Sequence, residues 1–183
     1  SSPDAPSYAC PSPSITLFNT FHYTVYVPTN ASIQALHNEG KLPTWDEVEE
    51  EQDEDEKERM TEQIEKFLKY HIQDNSLYIG QGNIEEADYE TSAYEINGAD
   101  NTISYCRLTV KGDGSHLSVT DAAGNKRNVL TNGGLYNLMA REYQYNTKDV
   151  ASASEIYTSS YAVVHQIDGP LIWEKETEEG SME

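Results

Sequence analysis

The chain has 183 residues, enough for one domain that buries a core of its own. Its 12 Lys and Arg residues stand against 32 Asp and Glu residues, and the resulting formal net charge of −20 repels phosphate backbones, which argues against nucleic acid as a partner. No apolar run reaches the roughly 18–20 residues that a membrane-spanning helix needs, and 13 tyrosines argue against a disordered acidic polymer.

The first segment, residues 1–14, contains four of the seven prolines, interleaved with serine and alanine. Because this composition favours extended, solvated backbone, the segment is predicted to be a linker or a truncated domain edge. No signal peptide is recognisable, so a secretion signal and an anchor are expected upstream of residue 1. The two cysteines, Cys10 and Cys106, leave a disulfide and two free thiols as open alternatives.

A strand and two helices are predicted next. The segment His22–Val27 is β-branched and aromatic throughout, which is typical of a central strand. Thr29 or Asn30 can then cap a short helix. A second helix is predicted to start at Thr44, because Thr44 and Glu47 have the spacing of a capping box.

An acidic stretch precedes the strongest helical signal. Ten of the thirteen residues from Asp46 to Glu58 are acidic, and like charges at helical spacing repel one another. We therefore predict a solvated, acidic helical insertion over residues 44–58 rather than a calcium site, for which the EF-hand pattern is absent. Residues 57–72 predict an amphipathic helix. Its apolar stripe is Met60, Ile64, Phe67, Leu68, His71 and Ile72.

From Asn75 onward, short β-rich runs are separated by Gly, Asn and Asp. The predicted strands are 76–79, 103–110, 115–120, 126–131, 161–167 and 171–173, of which 115–120 and 126–131 form a hairpin. Residues 174–183 are predicted to be an acidic tail. Because helices come early and strands late, the pattern predicts an α+β fold with a mostly antiparallel sheet.

Three segments resemble the fasciclin-like domain, an extracellular adhesion module. Tyr23–Asn30 resembles that family's opening strand, Phe67–Ile72 its helical Tyr-His motif, and Ala162–Gly169 its closing Val-His-x-Ile-Asp segment. The resemblance spans residues 15–173 and implies a β-sandwich or wedge with helices packed on one side. The Thr44–Asp46 insertion and the Asn75–Tyr78 continuation further resemble fasciclin-like surface proteins of gut-type bacteria. This implies an extracellular or cell-surface location, on the bacterial outer surface or in the periplasm.

The same resemblance links Tyr70 and His71 to adhesion. His71 also lies on the apolar stripe, which predicts a buried imidazole that bonds to backbone groups, and we expect the same of His165 on its strand. The five histidines lack metal-ligand spacing, and no nucleophile or phosphate-binding motif is present. We therefore predict no metal, no cofactor and no catalytic residue.

The tyrosine surplus has two interpretations, partner recognition and ordinary strand packing. The candidate recognition residues are Tyr89, Tyr94, Tyr136, Tyr143 and Tyr145. The expected function is that of a non-catalytic module that binds a protein or glycan ligand. One alternative is an enzyme that acts on extracellular polysaccharide through a carboxylate pair, one of whose carboxyl groups would have a raised pKa. The other is a structural spacer within a larger surface protein.

Overall fold

The computed structural model describes residues 22–145 and 156–174, and only the backbone of residues 140–145 and 156–161. The predicted linker 1–14, Cys10 and the tail beyond Glu174 lie outside the described residues. The elements are β1 (His22–Pro28), α1 (Asn30–Asn38), α2 (Trp45–Glu50), α3 (Glu54–Tyr70), β2 (Ile72–Asp74), β3 (Asn83–Ile96), β4 (Ile103–Asp113), β5 (Leu117–Thr120), β6 (Lys126–Asn128), β7 (Leu138–Tyr145) and β8 (Ile156–Ile167).

Side chains cap the first two helices as predicted. The Thr29 hydroxyl accepts a hydrogen bond from the Ser32 amide at the start of α1. At the start of α2, the Thr44 amide donates to the Glu47 carboxylate over 2.7 Å, and the Glu47 amide donates to the Thr44 hydroxyl. Both predicted helix starts are therefore confirmed, because each cap satisfies backbone amides that the helix leaves without a partner.

Helix α3 starts inside the acidic run. The Asp53 carboxylate accepts hydrogen bonds from the amides of Asp55 and Glu56, over 3.0 and 3.1 Å. Acidic side chains in a first helical turn also interact favourably with the positive end of the helix dipole, which offsets part of their mutual repulsion. The acidic segment 44–58 thus comprises the capped helix α2, a non-helical link over residues 51–53 and the first turn of α3.

The eight strands form one sheet in the order β6-β5-β4-β3-β2-β1-β8-β7. β1 and β8 run parallel, and every other neighbouring pair is antiparallel. The sheet curls until Val129, just after β6, bridges Ile167 at the end of β8. The α+β class and the mostly antiparallel pairing are confirmed, whereas the fasciclin-like wedge stays a prediction.

Helix α3 lies against β2, β3 and α2. Ile64 and Phe67 are buried in a cluster with side chains of the two shorter helices and the turn between them, namely Leu36, Leu42 and Val48. His71, just after the helix, is 4% exposed. The inclusion of Leu68 in the stripe was wrong, because its side chain is 53% exposed. The elements that pack on α3 cover a narrower stripe than the sequence pattern suggests.

Two predicted strands are wrong for a shared physical reason. In residues 76–79, the Leu77 amide donates to the Thr24 hydroxyl over 2.9 Å. In residues 171–173, the Ile172 amide donates to the Asp121 carboxylate over 2.8 Å. Side-chain acceptors thus take the place of a strand ladder in both apolar segments. Strands β2, β3 and β7 were not predicted: Ile72 was assigned to the helical stripe but lies in β2, and the polar and acidic residues of β3 and β7 lack a clean alternation.

A tight backbone contact in the loop before β7 gives the first prediction. A Cβ at Gly134 would overlap Leu130 Cβ and lie 2.7 Å from the Leu130 carbonyl oxygen. Since backbone must move to relieve that overlap, Gly134→Ala is expected to lower the free energy of unfolding by about 1–3 kcal/mol in urea denaturation. The control is Gly98→Ala, where a Cβ meets open space and the change should stay within about 0.5 kcal/mol. Equal stabilities of the two variants would contradict this packing.

Candidate binding surfaces

His71 joins the end of α3 to the C-terminal segment. Its Nδ1–H donates to the Phe67 carbonyl oxygen over 2.8 Å, and its Nε2 accepts from the Leu171 amide over 3.0 Å. Accepting at Nε2 requires the neutral ring, and burial lowers the pKa of His71 to about 4. The predicted burial and backbone bonding of His71 are confirmed.

Tyr70, the other residue linked to adhesion, is also in the core. Its side chain is fully buried, and its hydroxyl donates to the Arg107 carbonyl oxygen over 2.9 Å and accepts from the Ala122 amide over 3.0 Å. Loss of hydration raises the pKa of Tyr70, so the hydroxyl stays protonated and able to donate. Since neither Tyr70 nor His71 reaches the surface, their role in adhesion stays a prediction of the resemblance, and we do not propose that they contact a partner.

His165 makes the same kind of bridge from β8. Its Nε2–H donates to the Leu77 carbonyl oxygen over 2.8 Å, and its Nδ1 accepts from the Asn137 amide over 3.2 Å. Burial lowers the pKa of this ring as well. The structural role predicted for His165 is confirmed. Within residues 22–145 and 156–174, His, Cys, Asp and Glu side chains form no group of three that could hold a metal ion.

The candidate recognition tyrosines do not form one surface. Tyr89 is half-buried against the sheet core, whereas Tyr94 and Tyr136 are exposed on different elements. The side chains of Tyr143 and Tyr145 lie outside the described residues. Of the five, Tyr94 belongs to an exposed apolar cluster that the sequence analysis did not recognise.

This cluster occupies one face of the β3–β4 hairpin, and we call it the hairpin face. Tyr94 pairs across the strands with Tyr105, and Ile96 pairs with Ile103. The two isoleucines are 58% and 56% exposed, and the tyrosines are 41% exposed each. Residues directly opposite and two apart share a face of the hairpin, so the four side chains form one continuous patch. The sequence signal was the mirrored pattern Tyr-x-Ile and Ile-x-Tyr around the loop.

The hairpin face projects because its strands leave the sheet. The pairing of β2 with β3 is at Thr91, and the register then shifts between Glu90 and Tyr94. On the other side, β5 pairs with β4 from Thr109 onward. Within residues 22–145 and 156–174, residues 94–105 therefore pair as strands only with each other, so this end of the hairpin extends past the strands on either side.

Two lysines of α3 flank the base of the hairpin face. Lys66 Nζ lies 3.1 Å from a carboxylate oxygen of Glu95. Lys69 Nζ lies 3.2 Å from Glu65 and 6.0 Å from the centre of the Tyr94 ring. These contacts attach the hairpin to the helix and give the apolar patch a charged rim.

A cleft of about 640 Å³ lies elsewhere on the molecule, and we call it the α1–β6 cleft. Its walls come from α1 and the following turn, from α3, from β6 and the turn before it, and from the segment after β8. Its apolar lining includes Leu36, Phe67, Ile172 and Trp173. Its charged lining is Glu39, Lys41, Arg127, Asp168 and Glu174.

Comparison with protein-family models, with curated proteins and with solved structures finds no match to this chain. The fasciclin-like resemblance is therefore neither supported nor contradicted by relatives and stays a prediction. In the described part of the chain, no helix has both the length and the apolar character that crossing a membrane requires.

Proposed function

We propose that the chain is a non-catalytic, extracellular or cell-surface adhesion module that binds a protein partner through the hairpin face. The exposure of Tyr94, Ile96, Ile103 and Tyr105 is the observation that carries this proposal. Contiguous apolar side chains held in water are costly unless a partner covers them, and such patches mark interaction sites. The three segments that resemble the fasciclin-like domain supply the extracellular and adhesive part of the proposal.

The chemistry of the hairpin face favours a protein over a glycan. The Tyr94 and Tyr105 rings lie 6.1 Å apart at an interplanar angle of 73°, so they form an edge-to-face pair rather than a flat platform for sugar rings. The flanking isoleucines offer no hydrogen bonds to hydroxyl groups. Burying them is favourable only against apolar side chains, which a protein surface provides.

Charge restricts the partner further. The chain carries a formal net charge of −20, so long-range attraction favours a basic or neutral partner and disfavours an acidic one. The apolar contact supplies affinity, whereas the overall field mainly affects the association rate. We therefore expect association with a basic partner to slow as salt is raised while dissociation changes little.

The test is binding of the purified chain to arrays of extracellular proteins and of glycans. The double variant Ile96→Thr and Ile103→Thr keeps β-branched side chains in the strands but removes apolar surface from the hairpin face. We expect the wild type to bind protein spots, and the double variant to bind them about 10- to 100-fold more weakly by surface plasmon resonance.

Leu68→Gln is the matched control, because Leu68 is an exposed apolar residue outside the hairpin face. This variant should bind the same proteins with unchanged affinity. The proposal fails if the chain binds glycans and no proteins, or if the double variant binds proteins as tightly as the wild type. Equal melting temperatures of the three chains would show that altered folding does not explain the result.

A further inference from the structure

Arg127 is held in a fixed position at the wall of the α1–β6 cleft. Its Nε–H donates to the Pro170 carbonyl oxygen over 2.9 Å. A Cβ at Gly169 would lie 2.8 Å from both Cζ and Nη1 of Arg127, so the guanidinium packs where a side chain at residue 169 would be. The glycine and the carbonyl together orient the charged group, which reduces the entropy that a ligand contact would otherwise cost.

The terminal nitrogens of Arg127 carry no ion pair in the described ranges 22–145 and 156–174. Salt bridges there occupy Lys41, Arg59, Lys66, Lys69, Arg107 and Lys111. Of the three arginines whose side chains the structure describes, Arg59 and Arg107 pair with carboxylates and Arg127 does not. Its guanidinium fork matches the two oxygens of a carboxylate, and it lines the cleft.

The remaining lining restricts the ligand further. Glu39, Asp168 and Glu174 place carboxylates on the cleft walls, where they bind Lys41, Asn128 and Trp173, respectively. A carboxylate has about four acceptor sites, so each retains capacity for a ligand hydroxyl group. Ile172 and Trp173 offer partly exposed apolar surface. A ligand that fits this lining carries a carboxylate for Arg127, hydroxyl donors for the acidic side chains and an apolar ring face.

We propose that the α1–β6 cleft binds a saccharide that bears a carboxylate, such as a uronic acid. A fatty acid has the carboxylate but no hydroxyl donors for the acidic side chains. A peptide with a free carboxylate has few donors close to that group. The cleft volume of about 640 Å³ is within the range of about 300–1,000 Å³ that is common for small-ligand sites. This site is separate from the hairpin face and does not depend on the proposed protein binding.

Intrinsic fluorescence can report this binding, because one of the two tryptophans, Trp173, lines the cleft. Trp45→Phe, at an exposed position, leaves Trp173 as the single tryptophan, which is excited selectively over the tyrosines, and serves as the reference chain. The probes are methyl glucuronide, methyl glucoside and an N-acetylated dipeptide with a free carboxylate. We expect saturable binding of the glucuronide, and about 10-fold or more weaker binding of the other two probes.

Two variants test the arginine, each made in the Trp45→Phe chain. Arg127→Gln removes the charge, and its control Arg107→Gln removes an arginine that lies on β4 outside the cleft. Ala35→Glu places a negative charge at an exposed, cleft-lining position of α1, and its control Ala31→Glu lies one turn earlier and does not line the cleft. Both cleft variants are expected to weaken glucuronide binding at least about 10-fold, and both controls to leave it unchanged.

Several results would overturn the proposal. The first is the absence of saturable glucuronide binding. The second is binding of the glucoside or of the dipeptide that is as tight as binding of the glucuronide. The third is glucuronide binding that survives Ala35→Glu. The Ala35→Glu variant tests the proposal even if Arg127→Gln fails to fold, because Ala35 is exposed and its replacement should leave the fold intact. The double variant Ile96→Thr and Ile103→Thr should still bind the glucuronide. The outcome of this test is therefore independent of the protein-binding test.

Discussion

Replacement of His71 by alanine is expected to lower the free energy of unfolding by about 3–5 kcal/mol. The variant leaves the Leu171 amide buried without its acceptor at Nε2, which alone costs about 1–3 kcal/mol. It also opens a cavity beside Phe67, whose ring centre lies 4.4 Å from that of His71. Urea denaturation at pH 7, where the wild-type ring is neutral, measures the loss.

The matched control is His116→Ala. His116 is exposed on the loop before β5, where its contacts are with Asp113. Its removal should change the free energy of unfolding by no more than about 0.5 kcal/mol. His71→Asn keeps a donor for the Phe67 carbonyl and is expected to recover part of the loss. A loss below about 1 kcal/mol in His71→Ala would contradict the bridging role of the ring.

The second large effect is acid destabilisation between about pH 6.5 and 4. His71 has a pKa of about 4 in the folded chain, against an ordinary histidine pKa of about 6.5 when unfolded. The unfolded chain therefore binds more protons in this interval, so stability is present above pH 6.5 and is lost as the pH falls toward 4. The shift corresponds to a loss on the order of 3 kcal/mol, and His165, whose pKa is also lowered by burial, adds to it.

Two charged features modify this pH dependence. The nearby Asp121 carboxylate favours protonation of His71 and opposes the larger effect of burial. Acidification also neutralises carboxylates across a chain of net charge −20, which relieves repulsion and works in the opposite direction. At about 0.5 M salt the Debye length is about 4–5 Å, so measurements there reduce the contribution of charge repulsion to the pH dependence.

The measurement is urea denaturation at pH 7, 5.5 and 4.5, together with NMR titration of the His71 ring. The ring should keep the resonances of a neutral imidazole until the pH approaches 4. His116→Ala should show the same fall in stability as the wild type. A stability that stays constant or rises from pH 7 to 4.5 at high salt, or a His71 ring that protonates near pH 6.5, would refute the assignment.

The elements that sequence predicts best are those whose signals are local. The Thr44 and Glu47 capping box acts within one turn, and the stripe through Ile64 and Phe67 needs only helical periodicity. Segments that bond to distant side chains defeat this reasoning. The amides of Leu77 and Ile172 bond to Thr24 and Asp121, which lie about 50 residues away in the chain, so apolar composition alone misassigned both segments as strands.

The candidate surfaces depend on tertiary structure to different degrees. The alternation of Tyr94 with Ile96 and of Ile103 with Tyr105 is present in the sequence. Their shared exposure depends on the register shift before Tyr94, which sequence patterns do not specify. The α1–β6 cleft is less predictable still, because α1, α3, β6 and the segment after β8 meet there only in the folded chain.

The parallel pairing of β1 with β8 also determines how the fold carries load. Seven residue pairs join the two strands, from His22 with Tyr161 to Pro28 with Ile167. The chain enters this pair at one end and leaves it at the other, so tension between His22 and Ile167 pulls the strands lengthwise past each other. Under such shear the ladder must break as a unit rather than one bond at a time. Mechanical strength would then come from the β1–β8 pair, whereas the hairpin face lies on β3 and β4, outside the loaded pair.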